Sequence, residues 1–123
     1  MFQIAALILL SQQPLQPVKE GVATYYTVAS SSSLTASGEQ MRDHKYTCAM
    51  LDGVFGAYYL VVADTGRSVV CRLNDRGPYI KGRVIDLSRA AMRKLAGRDG
   101  MANVKVYCMG HSIPPSLAAN TQS

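Results

Sequence analysis

A chain of 123 residues with 48% hydrophobic and 17% charged side chains fits one domain with a modest core, and it is too apolar to be disordered. Its net charge of +5 suits a polyanionic partner or simple solubility. No Lys/Arg run interleaves with aromatics and no Gly-rich phosphate loop occurs, which sets nucleic acid aside, and Cys48, Cys71 and Cys108 form no CxxC pair, which sets a zinc site aside.

In chain order, residues 4–10 form an apolar run far below the roughly 20 residues that cross a bilayer, so no transmembrane span is expected. The run is either the apolar part of a signal peptide or a short packed element. No Lys or Arg precedes it, and no clear cleavage site follows before Pro14. Residues 11–18 carry Pro14 and Pro17 and no period, and read as a linker. The expected organisation is an N-terminal segment at 1–17, one domain at 18–110 and a flexible tail at 111–123.

Residues 21–26 are rich in β-formers and predict a strand. Ser30 to Ser33 reads as an exposed loop, residues 35–39 as a turn and residues 46–50 as a short strand. Residues 57–62 and 68–73 flank a turn containing Gly66 and predict a hairpin. Next comes Asn74-Asp75-Arg76-Gly77-Pro78-Tyr79, a carboxylate presented at a strand end before a Gly-Pro turn. Residues 83–87 predict another strand. Ser88 is an N-cap candidate for a helix over about 88–97, with Ala91, Met92 and Leu95 on one face and Gly97 and Gly100 at its end. Residues 104–108 alternate as a last strand. About six short strands and one helix predict an all-β small barrel or sandwich. The cysteines allow one disulfide in an exported protein or three buried thiols.

The ordered set 21–26, 35–39, Phe55-Gly56, 66–70, 74–79, 82–88 and the closing strand resembles the RlpA-like (rare lipoprotein A) family. The resemblance covers roughly residues 21–109 and implies a six-stranded double-psi β-barrel. The family's enzymes are lytic transglycosylases of peptidoglycan, so it also implies a cell-envelope protein, periplasmic or extracellular, acting on glycan strands. By the same resemblance, Asp75 matches the acidic residue of the N-D-R-G-P-[FY] stretch and Glu39 the glutamate of the S-G-E turn. Asn74, Arg76 and Tyr79 then fall at the substrate. Met50 occupies the place of the family's usual histidine, in its A-A-H-K-T-L-P-F-G segment.

A lytic transglycosylase needs one acid/base. That group protonates the glycosidic oxygen, then takes the proton of the sugar's 6-hydroxyl as an anhydro ring closes, whereas a hydrolase uses a second carboxylate. Asp75 is the expected acid/base and Glu39 its helper, with no metal or cofactor. Methionine can neither shuttle a proton nor orient a carboxylate. The alternative is therefore a non-catalytic glycan-binding or structural barrel, used as expansins use this fold or as part of a phage tail or virion beside other proteins. His44 and Asp52 are candidates for the role Met50 leaves open, and His111 is expected to be inert. Asp75 read alone would cap a turn and pair with Arg72 or Arg76. Asp86 is expected to anchor the barrel through Arg76 or Arg83. Tyr79 is the best candidate to stack on sugar; the other tyrosines fit barrel packing.

Overall fold

The computed structural model describes residues 16–30, 33–118 and 121. The apolar run at 4–10 and most of the linker lie outside them. Six strands are formed: β1 (Lys19–Tyr25), β2 (Thr47–Ala49), β3 (Tyr58–Ala63), β4 (Ser68–Asp75), β5 (Arg83–Leu87) and β6 (Ala102–Gly110). They close into a barrel in the order β1-β5-β2-β4-β3-β6. Two pairs are parallel, β1 with β5 and β2 with β4, and the others are antiparallel. Closure leaves no free sheet edge for another chain to extend.

Strand direction gives the barrel two distinct ends. β1, β3 and β5 run one way; β2, β4 and β6 run the other. Tyr25, Leu87, Ser68 and Ala102 therefore share one end, and Lys19, Ala49, Asp75 and Gly110 share the opposite one.

The interior is filled by small and branched side chains at alternating strand positions. Ala23, Cys48, Val61, Cys71, Leu73, Ile85, Leu87 and Val106 are all fully buried. Each buried Leu or Ile contributes about 1.5–3 kcal/mol relative to exposure. β1 begins two residues earlier than residues 21–26 predict, and β6 is longer than 104–108, because pairing with each other orders both ends.

The helix α1 (Arg89–Ala96) falls where its pattern predicts, with Ala91, Met92 and Leu95 buried against the barrel. Ser88 caps it: its hydroxyl accepts from Ala91 N at 3.3 Å and also donates to the carbonyl of Lys45. Gly97, with φ of +64°, ends it and returns its N–H to Arg93 O at 2.9 Å.

Three expectations are corrected. Asp86 does not reach Arg76 or Arg83; it sits opposite Thr24 in the β1–β5 pairing and accepts a hydrogen bond from the Thr24 hydroxyl. Cys108 is exposed, while Cys48 and Cys71 are buried, and all three are free thiols. The segment 111–123 is not simply frayed: it contains the short helix α2 (Pro115–Ala118), and Thr121 is fully buried.

Two outcomes follow. Ser88→Ala removes a cap and leaves buried partners short of a hydroxyl, so it costs about 1–2 kcal/mol in urea unfolding. Burial pushes the Cys48 thiol well up, and thiolate is the reactive form. Native protein therefore exposes one rapidly alkylated thiol, Cys108, and denaturant reveals two more.

Candidate active site

β4 carries the site because its regular alternation fails at its end. Cys48 pairs with Leu73, but the next residue of β2, Ala49, pairs with Asp75, so the ladder skips Asn74. Strict alternation from the fully buried Leu73 would turn Asp75 into the barrel. The irregularity re-aims it. Asp75 is half-buried at the strand end, and Asn74 takes the buried position, 2% exposed.

The Asp75 carboxylate is held from one side. Its Oδ1 accepts the backbone N–H of Ala36 at 2.8 Å and of Arg76 at 2.8 Å. Among the described residues, no hydrogen bond is made to Oδ2, so one oxygen is held and the other keeps its acceptor capacity. Neither arginine pairs with it. Arg72 turns to Glu39, and Arg76 donates from Nη2 to Gly53 O at 2.8 Å with its guanidinium 4.1 Å above the Phe55 ring. Pairing of Asp75 with an arginine is thus not what the structure shows.

Glu39 arrives from the long connection between β1 and β2. Arg72 grips it with a fork, Nη1 to Oε1 at 2.9 Å and Nη2 to Oε2 at 3.0 Å. The remaining nitrogen of Arg72, Nε, donates to the carbonyl of Thr121 at 2.7 Å. The Glu39 turn is further stitched to β4 by Ser37 N to Asn74 O at 3.1 Å.

Met50 lies beside Asp75 through its backbone, with Met50 N donating to Asp75 O at 3.3 Å. Its side chain is only 1% exposed and packs in the main core. It forms the floor of a hollow of about 250 Å³ that Lys19, Asp52, Gly53, Tyr59 and Cys108 also line. Tyr79 stands 79% exposed just after the cis Gly77–Pro78 bond. Among the described residues, two buried polar atoms find no partner, Asn74 Oδ1 and Arg76 Nη1, and both belong to residues flanking Asp75.

Neither candidate substitute for a histidine is placed beside Asp75. His44 is exposed at the other end, in a hollow with Arg89 and Arg93. Asp52 pairs with Lys19 at 3.0 Å on the Met50 side of Gly53. His111, set aside from the sequence, lies near the Phe55-Gly56 turn: a Cβ on Gly56 would sit 3.8 Å from its Nδ1. The clamp role of Arg72, the Phe55–Arg76 contact and Thr121 were also missed. Only the Val70-Cys71-Arg72-Leu73 pattern hinted at the first, by placing a cation within an otherwise apolar strand. Among the described residues, no three His, Cys, Asp or Glu side chains converge as a metal site.

A closed six-stranded barrel with two parallel pairs and an acidic strand end is a double-psi β-barrel. Solved structures agree on the fold. A Streptomyces papain inhibitor aligns at a TM-score of 0.58 and 23% identity, covering 77% of this chain and 97% of its own. A mutant Clavibacter michiganensis expansin in complex with cellohexaose aligns at 0.61 and 16%, covering 78% of this chain and 52% of its own. The double-psi β-barrel family described as lytic transglycolase matches residues 18–106, and the chain belongs to that family. The endolytic peptidoglycan transglycosylase RlpA of Pasteurella multocida is 41% identical over 78 residues, 63% of this chain and 26% of the relative. The probable enzyme of that name from Treponema pallidum is 38% identical over 107 residues, 85% of this chain and 32% of the relative. The chain thus spans about a quarter to a third of these curated relatives.

The clamp has a measurable cost of removal. Arg72→Met removes three hydrogen bonds, two to the Glu39 carboxylate and one to the Thr121 carbonyl. Chemical denaturation is expected to show a loss of about 2–4 kcal/mol, near the lower part of the range for a broken buried pair because Glu39 keeps 26% side-chain exposure.

Proposed function

We propose that this barrel is the catalytic domain of a lytic transglycosylase that cleaves peptidoglycan glycan strands in the cell envelope, with Asp75 as its single acid/base. The observation that carries this reading is the one-sided hold on Asp75. Two backbone donors fix Oδ1, and Oδ2 is left for a sugar oxygen. The family and the names of the relatives supply the reaction class. A virion component has no support among these likenesses.

The chemistry then moves one proton out and one back. Protonated Asp75 gives its proton to the glycosidic oxygen as the C1–O bond breaks, and positive charge develops on the sugar ring. The resulting carboxylate takes the proton of the 6-hydroxyl, whose oxygen closes on C1. An anhydro end is left and Asp75 is protonated again. Water is not a reactant, so no second carboxylate is required.

Glu39 is not the acid in this scheme. Both of its oxygens accept from Arg72, and its task is to hold the 35–40 turn that delivers the Ala36 N–H to Asp75. Tyr79 offers a ring face for stacking.

The test is digestion of sacculi and of peptide-free glycan, read by product mass. Wild type is expected to give anhydro ends. Asp75→Asn is expected to lose about 10²–10⁴-fold of the rate, the usual worth of a general acid. Glu39→Gln is expected to lose less, because neutral amide still accepts one bond from Arg72. One observation favours a second reading. Met50 stands where the family's histidine would be, and its side chain is buried. A glycan-binding barrel without turnover would sediment with sacculi and give no anhydro ends from either protein.

A further inference from the structure

The end of the barrel opposite Asp75 is cationic. Arg89, Arg93, Lys94 and Arg98 lie on α1 or just after it, and all are exposed. Arg67, at the start of β4, joins them by donating from Nη2 to Lys94 O at 2.8 Å. Asp75 closes the far end of the same strand, about 23 Å away at ~3.3 Å per residue.

Helix electrostatics explain only part of this cluster. Cations near a helix C-terminus are favourable, which covers Arg93, Lys94, Arg98 and Arg67. Arg89 is the first helical residue, where a cation is unfavourable, and the first turn holds no acid. Arg89 and Arg93 are also like charges four residues apart, which destabilises a helix. Asp43, Asp64 and Asp99 share this end, yet the ion pairs among the described residues, Lys19–Asp52 and Arg72–Glu39, do not involve it. Arg89 is thus held against helix stability, and none of these cations makes an ion pair among the described residues, although Asp99 lines a hollow with Arg89, Arg93 and Arg98.

Apolar side chains stand exposed at the same end. Tyr25 is 45% exposed at the end of β1, Val28 is 38% exposed just beyond it, and Met101 is 53% exposed just before β6. Tyr25 lines one hollow with Arg89, Arg93 and Arg98. Cations beside an exposed tyrosine, valine and methionine match a surface of anionic headgroups over acyl chains.

We propose that the α1 end is a docking face for an anionic phospholipid bilayer. Docked there, the protein turns Asp75 away from the membrane, toward the wall. The inference rests on the envelope location proposed above, but its test does not depend on cleavage.

The experiment is sedimentation of the whole chain with vesicles, one set of pure phosphatidylcholine and one with 30 mol% phosphatidylglycerol added. Wild type is expected to bind the anionic vesicles, to ignore the neutral ones and to be released by salt. Each basic residue at such a surface is worth about fivefold in binding, so Arg89→Gln with Arg93→Gln is expected to weaken it about 25-fold. The double Arg→Lys variant keeps the charge and keeps binding. The Gln variant relieves an unfavourable helix arrangement, so it folds, and circular dichroism checks this. Equal binding to both vesicle types, no binding to either, or no loss in the Gln variant overturns the proposal. So does wall binding that falls in the Gln variant while vesicles are ignored, since that assigns the face to wall carboxylates. Anhydro-end production by the Gln variant on soluble glycan is expected to match wild type. Loss of cleavage with vesicle binding intact would sink the enzymatic reading alone.

Discussion

One guanidinium joins parts of this chain that would not otherwise meet. Arg72 sits within β4, 9% exposed, and spends its donors on the two oxygens of Glu39 and the carbonyl of Thr121. A cation at that depth is tolerable only when fully partnered. Its partners come from 33 residues earlier and 49 residues later. The 35–40 turn is therefore held over the end of β4. From there the N–H of Ala36 reaches Asp75 and that of Ser37 reaches the Asn74 carbonyl. The orientation of the Asp75 carboxylate thus depends on an ion pair between two other side chains.

Much of the fold was legible because strand alternation and helix capping are local. Ser88, Ala91, Met92, Leu95 and Gly97 placed the helix within a residue of its bounds. Residues 83–87 became β5 unchanged. Closure into a barrel was legible only through family resemblance, because pairing β1 with both β5 and β6 joins residues some 60 to nearly 90 apart in the chain, which no window of sequence can see.

The site was legible as a motif and illegible as a geometry. The motif named Asp75 and Glu39, and the structure joins both to the 35–40 turn, Asp75 through Ala36 N and Glu39 through Arg72 of β4. The skipped residue at Asn74 leaves no mark in a hydropathy pattern, yet it turns Asp75 outward. The same holds for Arg76, which reads as a neighbour able to perturb Asp75 and instead lies over Phe55. Cys108 alternates in phase with buried Val104 and Val106, which suggested burial. β6 keeps its alternation only in part, and the thiol emerges near the strand's end.

The ring order has a consequence for how the protein is made. β1 precedes the other five strands in the chain, but its two neighbours in the barrel are β5 and β6, and β6 ends at Gly110. Both edges of β1 stay unsatisfied until nearly the whole domain is available, and long-range pairings of this kind form slowly. A chain threaded through a translocation pore N-terminus first would emerge with its opening strand exposed and wait for its last one. Chaperone protection of residues 19–25 during that interval then matters more to yield than the stability of the finished barrel.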